Sequence, residues 1–117
     1  LQNCISFKNY IKNEELNNFY NSINLFVLPS YYEALGCVYL ESWATETPFI
    51  GISRQGIEEL LTKQQKQMMI SKEKDPIDLS NKILFFYNNR LQKIKFLEKL
   101  NIKETVKLFL KKLKNVQ

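Results

Sequence analysis

Histidine is absent from the 117 residues, and cysteine, glycine and proline are scarce at two, three and three. Without histidine there is no imidazole to complete a zinc site or a Cys-His pair, which excludes several enzyme classes at once. The two cysteines, Cys4 and Cys37, lack metal-ligand spacing and lie in apolar or semi-apolar surroundings. Buried free thiols in a reducing compartment fit them better than a disulfide. Long apolar runs are missing too. The longest, residues 25–29 and 83–87, fall far short of the roughly 20 residues that span a bilayer, so no transmembrane helix is expected. No basic segment followed by an apolar run and a small-residue cleavage site opens the chain, which leaves the cytoplasm as the expected setting. The first residue is Leu1 rather than methionine, as expected of a truncated chain or a fragment.

What is present describes one folded domain. Apolar residues make up 44% and charged residues 25%, near the averages of globular domains, and the length suits a single core. The net charge of +5 is unevenly spread. Residues 1–62 carry three basic side chains (Lys8, Lys12, Arg54) and seven acidic ones, whereas residues 63–117 carry fourteen basic and five acidic. A basic half can meet nucleic acid or an anionic membrane surface. Fifteen of the seventeen basic residues are lysine, and the chain is also rich in Asn, Ile, Phe and Tyr, residues with AT-rich codons. Solvated helix faces therefore explain the excess better than a polyanion site. Nucleic acid is not expected as a partner, and contact with the inner face of a membrane stays open.

The texture changes near residue 62. Before it, short apolar runs alternate with helical patterns: strands at 4–7, 25–28 and 49–51, helices at 14–21, 36–45 and 57–61, and a fourth strand at 68–70. Short apolar strands separated by helices indicate parallel βαβ units. In the first helix Asn13 is placed to cap, Glu14 and Glu15 suit the positive first turn, and Leu16, Phe19 and Tyr20 share a face. Asp75-Pro76 starts another helix, with Leu79, Ile83, Phe86 and Tyr87 as its stripe. Helices through Leu91, Ile94 and Leu97, and through Ile102, Val106, Phe109, Leu110 and Leu113, complete a helical C-terminal half. The expected fold is α/β: a partial Rossmann-like three-layer domain with a short parallel sheet over residues 1–90, and C-terminal helices at 91–117 packing on it.

Residues 25–56 carry the chemistry. A strand ends in Pro29 and Ser30, a turn follows through Tyr31, Tyr32 and Glu33, and a helix opens at Gly36. Loops at the carboxyl ends of parallel strands form the ligand crevice of such folds. The amides of Gly36, Cys37 and Val38, with the helix dipole behind them, suit a phosphate. Glu41 lies one turn further along the same face, where it can accept the hydroxyls of a ribose. Glu33, just before the helix, can accept the hydroxyls of a sugar attached to the diphosphate. Taken alone, the two carboxylates equally fit a solvated turn and a helix surface.

The string from Phe26 to Glu41, with Pro29-Ser30-Tyr31-Tyr32-Glu33 and Gly36 at its centre, resembles the Glu-x7-Glu signature of retaining GT-B glycosyltransferases of the glycosyl transferases group 1 type (family 4). Upstream, Ile5-Ser6-Phe7, Glu14-Glu15-Leu16 and Phe19-Tyr20 are similar to the family's strand and following helix. Downstream, Thr47-Pro48-Phe49-Ile50-Gly51 and Gly56-Ile57-Glu58-Glu59-Leu60 resemble its Gly-x-Pro-Val-Ile strand and Gly-Gly-x-x-Glu loop. The likeness covers residues 1–90. It implies sugar transfer from a nucleotide-sugar to a glycan or lipid-linked acceptor with retention of configuration, without a metal or other cofactor.

Position by position, the resemblance gives Glu33 a donor-positioning and electrostatic role at the reacting sugar. It gives the amides of Leu35, Gly36 and Cys37 the donor hydroxyls and diphosphate, Val38 the nucleoside, and Glu41 the ribose. Several positions depart from the family pattern: Ala34 and Leu35 replace its usual Gly and Phe, Glu46 replaces a small residue, and Gln55-Gly56 replaces a Gly-Gly pair. Arg54, just before that pair, is a candidate phosphate contact, and an exposed loop arginine is the equal alternative. The resemblance also implies that the acceptor domain and the first two strands of the nucleotide-binding domain, with the Arg and Lys that hold the diphosphate, lie outside these residues. The chain alone is then expected to be inactive. The resulting gap in the sheet is expected to close by direct pairing of residues 4–7 with 25–28, or by a homodimer. The alternative is a noncatalytic nucleotide-binding or protein-interaction fragment that needs a partner chain.

Overall fold

The computed structural model describes residues 4–89. Among them the order is α1 (Asn13–Ser22), β1 (Phe26–Val27), α2 (Cys37–Ala44), β2 (Phe49–Ile52), α3 (Ile57–Leu60), α4 (Lys63–Met69), β3 (Ile70–Ser71) and α5 (Pro76–Asn89). The strands form one parallel sheet in the order β1-β2-β3, with Phe26 opposite Phe49, Val27 opposite Ile50, Gly51 opposite Ile70 and Ile52 opposite Ser71. All four residues of β2 are buried. Successive strand side chains point to opposite faces, so both faces of the sheet are covered. Helices α2 and α4 pack on β2, and α5 packs across β2 and β3. The result is the α/β layering of a partial Rossmann-like domain.

The sequence explains most of these elements. In α2, Tyr39, Ser42 and Trp43 are buried at helical spacing, and they meet Phe49, Ile50, Ile57, Leu61, Met69, Ile70 and Phe86 in a single core. Ser42 can sit there because its hydroxyl donates to the Thr47 carbonyl at 3.0 Å. Thr62 and Gln65 form a reciprocal capping box that opens α4. Asp75 caps α5 as expected, its Oδ1 accepting the Asp78 N–H at 2.9 Å, and Pro76 occupies the first helical position.

Several expectations are corrected. Residues 4–7 form no strand: Ile5 is 60% and Phe7 95% exposed. With no ladder partner among the described residues, their backbone stays in solvent, and they do not pair with residues 25–28. That strand itself shortens to Phe26–Val27. Cys4 and Cys37 are both free, yet exposed rather than buried. Cys4 lies in the unpaired segment, and Cys37 is the first residue of α2, turned away from the Tyr39-Trp43 stripe. The residue capping α1 is Lys12, without a side-chain bond, and Asn13 is already helical. Met68 and Met69 belong to α4, a helix the strand reading at 68–70 overlooked, and β3 begins at Ile70. On α5 only Leu79 and Phe86 of the expected stripe reach the core. Ile83 and Tyr87 are exposed. The helices expected beyond Arg90, and the 91–117 part as a whole, lie outside the described residues.

Candidate functional site at the carboxyl ends of the strands

Three loops meet where the strands end: residues 28–36 after β1, 53–56 after β2 and 72–75 after β3. The first turns into α2 at Gly36, whose φ of +72° is left-handed and whose missing Cβ would lie 2.5 Å from the Tyr39 ring. Both facts require glycine. At Gly56 a Cβ would lie only 2.1 Å from the Ala34 carbonyl oxygen, and the Gly56 N–H donates to that same oxygen at 2.9 Å. Gly56 therefore brings the first and second loops into backbone contact.

A buried polar network braces this junction. The Tyr39 hydroxyl donates to the Leu28 carbonyl at 2.8 Å and approaches Gln55 Oε1 at 3.3 Å. Gln55 Nε2 in turn donates to the Ser30 carbonyl at 2.6 Å. Gln55, at the position where the resemblance expects glycine, is thus a buried strut between loops, an assignment that its sequence position alone does not reveal. Burial, followed by the negative charge of Glu33, pushes the Tyr39 hydroxyl up to about 12, so it remains a donor at neutral pH.

Glu33 is half-buried in the loop beside this hydroxyl, Leu35 is half-buried, Gly36 buried, Cys37 exposed and Val38 half-buried. The first N–H groups of a helix have no intrahelical acceptor, and α2 starts directly after the first loop. One turn on, Glu41 is half-buried, and its Oε2 accepts the hydroxyl of Tyr20 from α1 at 3.0 Å. Leu35, Gly36, Cys37 and Val38 thus lead into and begin α2, with Gly56 against Ala34; Glu33 acts on the Tyr39 side, and Glu41, one turn on, meets α1 through Tyr20.

Arg54 is placed differently. It has a left-handed φ of +68°, its N–H donates to the Glu58 carboxylate, and its exposed guanidinium pairs with Glu73 in the third loop at 3.7 Å. Lys74 pairs with the same carboxylate at 3.7 Å and lies over the Tyr31 ring, 5.8 Å from its centroid. These contacts border a cavity of about 300 Å³ whose lining includes Pro29, Tyr31, Ile52, Lys72 and Leu79. Sequence reasoning missed the cavity, because its walls come from the first and third loops, the end of β2 and the start of α5, which are distant in sequence. Only the Asp75-Pro76 helix start marked one border.

Among the described residues no three His, Cys, Asp or Glu side chains gather to hold a metal, and no helix is long and apolar enough to cross a membrane. A comparison with curated proteins finds no match. The family model for glycosyl transferases group 1 matches residues 1–105.

Proposed function

The chain belongs to the glycosyl transferases group 1 family, and within it we propose that this chain is the donor-binding portion of a retaining GT-B enzyme that takes a sugar from a nucleotide-sugar. The observation that carries this reading is the start of α2. A left-handed Gly36 opens the helix, whose first amides have no intrahelical acceptor, and in sequence it stands between the carboxylates of Glu33 and Glu41. The amides of Leu35, Gly36 and Cys37 take the diphosphate and donor hydroxyls, where the helix dipole adds to the attraction. Val38 borders the nucleoside and Glu41 accepts the ribose hydroxyls. Glu33 orients the donor sugar and stabilises positive charge at its anomeric carbon as the leaving diphosphate departs. Amides and cations, not a metal, meet the charge on that diphosphate. For Arg54 to help, its guanidinium must leave Glu73, a weak, solvent-exposed pair.

The acceptor, a glycan or a lipid-linked one, is bound by residues outside this chain, at the cytoplasmic face of a membrane. In the full-length enzyme Glu41→Ala weakens nucleotide-sugar binding by about 1–3 kcal/mol, and Glu33→Ala lowers turnover more than nucleotide affinity. Unchanged turnover in Glu33→Ala removes it from the donor site.

A second reading is favoured by one observation. β1 has a ladder neighbour on one side only among the described residues, and Ile5, Phe7 and Tyr10, which precede α1, are exposed. Such an edge recruits another chain, so the chain also suits a noncatalytic module completed by a partner or a second copy. Light scattering over a tenfold concentration range tests the second-copy form of this reading, since a concentration-independent monomer excludes it.

A further inference from the structure

We infer that Tyr20 is a positioning residue that fixes the Glu41 carboxylate for the nucleotide ribose; the inference rests on the ribose role proposed above for Glu41. Tyr20 is 3% exposed. Its ring is set edge-on against Phe19 at 5.2 Å and Phe26 at 5.6 Å. Its carbonyl accepts the Thr47 hydroxyl at 2.8 Å, which ties the end of α1 to the turn between α2 and β2. A phenol has few rotatable bonds, and with ring and backbone both fixed its hydroxyl occupies one place. That place is 3.0 Å from Glu41 Oε2.

A glutamate on a helix surface otherwise samples several rotamers, whose loss opposes ligand binding. Tyr20 removes that freedom before the ligand arrives. It engages one carboxylate oxygen and leaves Oε1, with both lone pairs, for the vicinal hydroxyls of a ribose. Burial, then the hydrogen bond and charge of Glu41, push the Tyr20 hydroxyl well above its usual value of 10. The group is therefore a constant donor at neutral pH and never a phenolate opposing the carboxylate. Both partners were visible in the sequence, Tyr20 as a core residue of α1 and Glu41 as a site residue; their contact across 21 positions was not.

The test is calorimetric titration of the chain and of its Tyr20→Phe and Glu41→Ala variants with UDP, GDP and ADP and their 2′,3′-dideoxy counterparts. Phenylalanine keeps the ring and removes only the hydroxyl. Tyr20→Phe is expected to weaken the ribonucleotide by about five- to tenfold, the weight of one hydrogen bond, and to leave the dideoxy form unchanged. A merely structural hydroxyl would alter both equally or neither. If Glu41→Ala abolishes the preference for ribose while Tyr20→Phe keeps it, the role of Tyr20 is overturned and that of Glu41 stands. If Glu41→Ala leaves the preference intact, or no nucleotide binds, the ribose reading itself is overturned. Should Tyr20→Phe fail to fold, the Tyr20 ring carbon resonances of the unchanged chain decide. A shift with ribonucleotide but not with dideoxynucleotide supports the inference, and no difference between the two overturns it.

Discussion

Phe49 in β2 is fully buried, whereas Phe7, in an equally apolar tetrad, is 95% exposed. Both segments read as strands. β2 has a ladder partner on each side and helices over both faces, so its backbone groups are paired and its side chains lie in the core. Residues 4–7 have neither partner among the described residues, and apolar character alone does not make them a strand. Position in the sheet, set by contacts far away in sequence, separates the two.

The largest effect expected from this contrast is at its centre. Phe49→Ala should lower the unfolding free energy by about 3–5 kcal/mol, whereas Phe7→Ala should stay within about 0.5 kcal/mol. Urea denaturation of both variants measures this directly. Comparable losses would mean that residues 4–7 are packed in solution, and the contrast would collapse.

A smaller loss is expected where the well-packed side meets the site. Gly36→Ala places a methyl group 2.5 Å from the Tyr39 ring in a left-handed backbone and should cost about 1–3 kcal/mol. Displacing Tyr39 also slackens the Leu28-Gln55-Ser30 network, so exchange protection of amides at 28–30 should fall with it.

The smallest effect is electrostatic and lies at the β3 side. The Asp78 carboxylate accepts the Lys72 N–H at 2.8 Å and the Ser71 hydroxyl at 3.0 Å. The Lys72 bond leads in holding its pKa below the ordinary 3.8. Because the folded value is the lower one, this contribution is fully present above pH 3.8 and disappears as pH falls through the folded value. Asp78→Asn should flatten that part of the acid-stability curve; an unchanged slope would show the carboxylate to be unpaired in solution.

How much was legible in the sequence follows the same division. Local chemistry was readable: Asp75-Pro76 starts α5 and Gly36 opens α2. The parallel sheet followed from alternating apolar runs. What was not readable depends on distant partners. Residues 4–7 carry a strand pattern without a ladder. Lys63–Met69 is a polar, surface-rich helix announced only by its Thr62-Gln65 capping box. The Gln55 strut, the Tyr20-Glu41 bond and the Arg54-Glu73 pair all join residues whose proximity exists only after folding. At the site, the helix start at Gly36 was legible, but the engagement of Arg54 with the third loop was not.

The central claim is that the amide-bearing start of α2 binds the nucleotide diphosphate. Titration of the 15N-labelled chain with UDP and GDP tests it most directly, by following backbone amide resonances. The account predicts that the largest shifts fall on Gly36, Cys37 and Val38, with smaller ones at Leu35 and Glu41. Shifts concentrated instead on residues 72–75 around the cavity, with residues 36–38 unmoved, would contradict it.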